Sequence, residues 1–214
     1  MPRTFAIGDI HGCLDKLEDI LKKINPVKDD TLIFLGDYID RGDAPTGVID
    51  LLIELSSNTN CIFLKGNHED MFMEFLEFGT NKLVYFANGG EVTVNAYLRA
   101  SRAHSLVEAI PETHKEFFSN LRLYYEDERY IYVHAGIKPG IPMHRQNQED
   151  LIWIRDEFIN APTGMDKKII FGHTPFSSPL VLKDKIGIDT SAVYGGVLTA
   201  IDLQDETFIQ SFPG

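Results

Sequence analysis

Five short apolar runs in this 214-residue chain each stand directly in front of a cluster of polar side chains that bind metals. Thr4-Phe5-Ala6-Ile7 leads into Gly8-Asp9-Ile10-His11-Gly12, and Leu32-Ile33-Phe34-Leu35 into Gly36-Asp37-Tyr38-Ile39-Asp40-Arg41-Gly42. Cys61-Ile62-Phe63-Leu64 leads, after Lys65, into Gly66-Asn67-His68-Glu69. Tyr130-Ile131-Tyr132-Val133 ends at His134-Ala135-Gly136, and Ile169-Ile170-Phe171 at Gly172-His173-Thr174. Between the first two runs, Leu14, Leu17, Ile20, Leu21 and Ile24 recur at helical spacing until Asn25-Pro26 stops them. Val48, Ile49, Leu51, Leu52 and Leu55 do the same between the second and third. Strand, helix, strand, helix, strand over 4–65 predicts consecutive βαβ units and a largely parallel sheet. Residues 70–122 lose strand alternation and read as short helices at about 71–78, 83–86, 92–98, 106–110 and 117–123, punctuated by Asn88-Gly89-Gly90. Segments 186–189, 195–202 and 206–210 predict a second, mostly antiparallel set of strands packed on the first sheet. No linker or repeat divides the chain, so one domain over 1–214 is expected, with a helical insert at about 70–122.

Composition narrows the class. Hydrophobic residues at 43% and charged residues at 24% fit one well-buried core in a soluble protein. No stretch approaches the roughly 20 apolar residues of a membrane span. Met1-Pro2-Arg3 runs straight into the strand that carries Asp9, which speaks against a cleavable signal peptide. Cys13 and Cys61 offer no disulfide framework and fit a reducing cytoplasm. Cys61 reads as inert, whereas Cys13 follows the first polar cluster and could be activated by an ion or a helix N-terminus. A net charge of −12 argues against nucleic acid as a partner. The expectation is a monomer that binds neither nucleic acid nor membrane.

The polar clusters carry the chemistry. In an open α/β sheet, ligands bind beyond the carboxyl ends of the strands, where loops distant in sequence converge. Asp9 and His11, two apart in extended chain, can face one ion. Asp37, on the neighbouring strand end, is placed to bridge two ions. Asn67 adds an amide oxygen, and His134 and His173 add imidazoles. Any one of these residues alone reads more readily as a turn, a cap or a satisfied polar group, but five clusters that each follow an apolar run do not. Mixed carboxylate, amide and imidazole ligands suit Mn, Fe or Zn. The pattern is that of a binuclear metal centre.

Gly-Asp-x-His-Gly, Gly-Asp-x-x-Asp-Arg-Gly and Gly-Asn-His-Glu in this order resemble the phosphoprotein phosphatases of the calcineurin-like metallophosphoesterase superfamily. His-Ala-Gly, Gly-His-Thr, Asn88-Gly89-Gly90, Ile152-Trp153-x-Arg155 and Ile188-Asp189-Thr190 bring the chain closest to the compact bacterial and phage lambda-type members. The resemblance implies an α/β/β/α sandwich, two packed mixed β-sheets flanked by helices. It implies serine/threonine phosphatase activity on phosphoproteins or phosphopeptides, and tyrosine phosphatase activity as an extension. It also implies two divalent ions, Mn first and Fe or Zn next, with Asp9, His11 and Asp37 on one and Asp37, Asn67, His134 and His173 on the other. His68 would protonate the leaving group with Asp40 orienting it, and Arg41 and Arg155 would clamp the phosphate. Tyr194 resembles the aromatic that overhangs the site in relatives, although a plain strand-edge tyrosine fits as well. Lys65 departs from the arginine that many relatives carry there, which puts its part in phosphate binding in doubt. His104, His114 and His144 lie outside every motif and are expected to be solvated. The rival functions are a symmetrical bis(5'-nucleosyl)-tetraphosphate hydrolase and a non-catalytic scaffold. Asp40-Arg41-Gly42 and Glu69 favour the phosphatase over the first, and the full ligand set over the second.

Overall fold

The apolar runs form strands because protein covers both of their faces. In the computed structural model, which describes residues 2–212, β1 (Thr4–Ile7), β2 (Thr31–Phe34) and β3 (Asn60–Phe63) pair in parallel. Two helices, α1 (Leu14–Ile24) and α2 (Pro45–Ser56), connect them. Asn25 closes α1 in the left-handed conformation, its N–H bonding to the Leu21 carbonyl, and Pro26 cannot continue the helix. A helical segment follows: α3 (Asn67–Phe78), α4 (Lys82–Ala87), α5 (Glu91–Ala100), α6 (Leu106–Ala109) and α7 (Glu112–Ser119). The chain continues through β4 (Tyr124–Glu126), β5 (Tyr130–Val133), α8 (Gln148–Trp153), α9 (Asp156–Ile159) and β6 (Lys168–Phe171). It ends in β7 (Leu180–Val181), β8 (Lys185–Gly187), β9 (Thr199–Asp202) and β10 (Thr207–Gln210).

Two mixed five-stranded sheets result, in the orders β10-β9-β1-β2-β3 and β4-β5-β6-β8-β7. Alternation along each strand sorts its side chains between layers. Ala6, Ile33 and Ile62 of the first sheet meet Tyr130, Tyr132, Ile170 and Ile186 of the second in the inner layer. Phe5, Ile7, Leu32 and Phe34 point the other way, onto α1, α2 and the helical segment. Ile131, Val133, Ile169 and Phe171 face Leu151, Ile152 and Phe158 of α8 and α9. This is the expected sandwich, helix layer on sheet on sheet on helix layer.

The last third corrects the sequence reading. It forms no separate antiparallel set: β9 and β10 complete the first sheet antiparallel to β1, while β8 runs parallel to β6 in the second. Strands this short carry no local signal of which sheet they join. His114 is also corrected. It is buried, with Nδ1 2.9 Å from the Tyr97 hydroxyl and Nε2 2.9 Å from Asp50 Oδ1, so it ties α2, α5 and α7 together. His104 and His144 are exposed, as expected. Among the described residues no helix is long and apolar enough to cross a membrane.

Candidate metal centre

The loops after β1, β2, β5 and β6, with the N-terminus of α3, converge at one point. Its middle is Asp37. His11 Nε2 stands 3.4 Å from Asp37 Oδ2, and His134 Nε2 stands 3.4 Å from Asp37 Oδ1. Two triads result, His11, Asp37 and His68 on one side and Asp37, His134 and His173 on the other, each with its ligand atoms within 4.8 Å of one another. All five residues are buried. Asn67 joins the second group, its Oδ1 3.0 Å from His134 Nε2. Asp9 lies behind His173, whose backbone N–H donates to both Asp9 oxygens at 3.0 and 3.1 Å.

Local backbone geometry aims these groups. His11, Asp37, Asp40, Arg41 and His173 all take left-handed φ values between 46° and 71°, which side-chain-bearing residues seldom adopt. His11 is therefore turned toward Asp37 by a left-handed kink, not by the alternation of extended chain that the Asp-x-His spacing suggested. Glu69 braces the turn at Asp37: Oε2 accepts from the amides of Asp37 (2.9 Å) and Gly66 (3.0 Å), and Oε1 from that of Tyr38 (2.8 Å). Gly66 must lack a side chain, because a Cβ there would strike Asp37 Oδ1. The first turn of α3 can then donate the His68 amide to that oxygen at 3.1 Å.

The donor set fits cations. His11 Nδ1 lies 3.0 Å from the Ile39 carbonyl and His134 Nδ1 lies 2.9 Å from that of Leu35. A carbonyl only accepts, so both Nδ1 atoms carry the hydrogen and both Nε2 lone pairs face Asp37. Burial holds the imidazoles neutral, lowering His11 to about 3 and His173 to about 2, with His134 lowered in the same way. Burial would raise Asp37, but any proton taken up by the histidines around it, His134 foremost and then His68, draws it far below the carboxylate range. Asp9 is pushed well above that range by burial and then by Asp189 and Asp37. Lone pairs and carboxylates gathered this closely, with few hydrogens among them, call for positive charge. Two guanidiniums supply some of it, Arg41 Nη1 at 2.6 Å from His11 Nε2 and Arg155 Nε at 3.1 Å from His173 Nε2. One stands at each triad, Arg41 at His11 and Arg155 at His173.

His68 is wired differently. Its Nδ1 lies 2.7 Å from Asp40 Oδ2, while its Nε2 is buried beside Asp37 without a hydrogen-bond partner. Burial lowers its pKa, but Asp37 and Asp40 outweigh this and raise it overall. Tyr194 is 66% exposed, and Arg41 lies over its ring at 5.5 Å. Lys65 points away, paired with Asp70 at 2.8 Å. Burial pushes the Cys13 thiol up to about 11 and that of Cys61 to about 12. Sequence reasoning missed Tyr85 and Thr93, whose hydroxyls reach Asp40 from the helical segment, and assigned no role to the buried Asp189. A hollow of about 1000 Å³ opens at the opposite ends of β5, β6 and β8 and includes none of the motif residues.

Comparison with known proteins gives this architecture a context. The sequence model of the calcineurin-like phosphoesterase family matches residues 2–203. The chain is 30% identical to an asymmetrical bis(5'-nucleosyl)-tetraphosphatase, PrpE, of Anoxybacillus flavithermus, over 91% of this chain and 88% of that one. Among solved structures it resembles a candidate diadenosine tetraphosphatase, with a TM-score of 0.72 and 24% identity over 100% of this chain and 96% of the other. It also resembles a cold-active protein tyrosine phosphatase of a Shewanella species, with a TM-score of 0.66 and 16% identity over 99% and 81%.

Proposed function

Because the chain belongs to the calcineurin-like phosphoesterase family, we propose that the Asp37-centred site hydrolyses phosphate esters of alcohols, phosphoserine and phosphothreonine in proteins or peptides foremost. The observation that carries this reading is the buried, unpartnered Nε2 of His68, backed by Asp40 and set beside Asp37. An alkoxide is a poor leaving group and needs a proton as the P–O bond breaks. In this reading the His68 imidazolium donates that proton from Nε2 to the departing oxygen. Asp40 holds the ring through Nδ1 and stabilises its charge. Arg41 beside His11 and Arg155 beside His173 bind the phosphoryl oxygens with charge-assisted hydrogen bonds.

Asp9, His11 and Asp37 would hold one divalent ion, and Asp37, Asn67, His134 and His173 a second. Two such ions, when bound, acidify water for attack on phosphorus and neutralise charge as it develops. Asp37 offers one carboxylate oxygen toward each half of the site, and the tautomers set by Ile39 and Leu35 leave the imidazole lone pairs ready.

A second reading is favoured by the relatives. Those that match this chain at 29–30% identity over about nine-tenths of its length carry the name of asymmetrical bis(5'-nucleosyl)-tetraphosphatases. The dinucleotide alternative therefore takes an asymmetrical form here, with unequal nucleotide products, in place of the symmetrical cleavage considered from the motifs alone. A substrate panel separates the two. Initial rates with Mn²⁺ on phosphoserine and phosphothreonine peptides should exceed those on diadenosine tetraphosphate. Efficient cleavage of the dinucleotide with phosphopeptides untouched would replace the first reading with the second.

A further inference from the structure

Asp40 is held by more than His68. Its Oδ2 faces the imidazole, while its Oδ1 accepts from the Tyr85 hydroxyl at 2.8 Å and the Thr93 hydroxyl at 2.5 Å. Thr93 Oγ1 also accepts the backbone N–H of Asp40 at 3.0 Å, so one hydroxyl grips the same residue at both ends. Asp40, His68, Tyr85 and Thr93 are all fully buried. Asp40 and Arg41 are consecutive left-handed residues with φ of 71° and 68°, a conformation that needs outside support. Part of that support comes from the Asn88-Gly89-Gly90 turn between α4 and α5. Gly89 accepts the Arg41 amide at 3.3 Å, and Gly90 leaves room that a Cβ would take from the Tyr85 ring.

A carboxylate donates nothing, so both hydroxyls must point their hydrogens at Oδ1. With Oδ1 saturated, the carboxylate plane is fixed and Oδ2 is reserved for His68 Nδ1. The helical segment thus reaches the reacting region through two oxygen atoms. We propose that Tyr85 and Thr93 are positioning residues for proton donation, setting Asp40 so that His68 Nε2 is aimed at the leaving oxygen. The proposal rests on the assignment of His68 as the donor. Losing either hydroxyl frees the carboxylate to turn, and the ring with it, and proton transfer is sensitive to such misalignment.

The test compares Tyr85→Phe, Thr93→Val, Thr93→Ser and His68→Asn, with metal content measured for each, on aryl phosphates running from p-nitrophenyl phosphate to the more basic phenoxide of phenyl phosphate. Tyr85→Phe and Thr93→Val should keep their metals and lose rate, a few-fold on the first ester and roughly 10-fold on the second, a fraction of the full general-acid effect. Thr93→Ser should restore most of the rate. Adding Tyr85→Phe to Asp40→Asn should cost nothing more, whereas a merely structural tyrosine would add its own loss. If His68→Asn shows the leaving-group dependence but both hydroxyl variants lose rate equally on every ester, the positioning role is wrong and the donor assignment stands. If His68→Asn itself shows no such dependence, the donor assignment falls and the positioning role falls with it.

Discussion

His11 shows how one residue ties backbone strain, protonation and ligation together. Its left-handed φ of 46° turns the ring toward Asp37, and its Nδ1 bond to Ile39 fixes the tautomer. Five of the nine non-glycine residues with left-handed backbone among those described belong to the candidate site. Strain of this kind costs roughly 1–3 kcal/mol per residue, so the concentration marks where the fold gives up stability to place side chains. The lowered pKa of His11 makes a prediction with a definite sign. The ring titrates at about 3 in the folded state, against a reference of 6.5. Its contribution to stability is therefore fully present above 6.5 and is lost as pH falls toward 3, because the unfolded chain then takes up a proton that the folded chain refuses. In chelator-treated protein, the stability gap between wild type and His11→Asn should move against wild type by up to about 1.4 kcal/mol per pH unit between pH 6.5 and about 4. Urea unfolding at a series of pH values checks this. A gap that does not change with pH would show that the folded His11 is not held neutral.

At the scale of elements, the helical segment between β3 and β4 is part of the site's frame. It carries Tyr85 on α4 and Thr93 on α5, and the Gly89-Gly90 turn fits both against the loop after β2. Gly90→Ala should push on the Tyr85 ring and destabilise the protein by roughly 1–3 kcal/mol, as overpacking does. The turnover that remains should fall much further than the metal content. Thermal unfolding together with metal analysis would test this, and loss of metal in step with activity would place the damage at the ligands instead. The sequence made β1, β2, β3, β5, β6, α1 and α2 legible because their apolar periods are long enough to show, and because each strand leads into a polar cluster. The ligand candidates were legible for the same reason. The two-residue β7, the partners of β8 and β9, and the burial of His114 were not, because nothing local determines them. Tyr85 and Thr93 lie 45 and 53 residues from Asp40, and a hydroxyl has no periodicity to announce its partner.

Across the whole molecule, two sheets pack face to face and send their loops to one rim, where Arg41 and Arg155 stand over a buried acidic and imidazole centre in a chain of net charge −12. An anionic substrate would therefore meet favourable charge at this rim, and cations held at Asp37 would add to it. The structural neighbours at 16–24% identity establish the shared fold, and the choice between phosphopeptide and dinucleotide rests with the substrate panel. Central to both readings is a pair of divalent ions held by Asp37 and its neighbours. The direct measurement is a titration of Mn²⁺ into chelated protein, following bound metal and p-nitrophenyl phosphate hydrolysis together, in wild type and Asp37→Asn. The wild type should be inactive when stripped and recover full rate as a second equivalent binds, while Asp37→Asn should fail both to hold two ions and to turn over. Full activity in the stripped protein, saturation at one equivalent, or near-normal turnover by Asp37→Asn would contradict the binuclear centre.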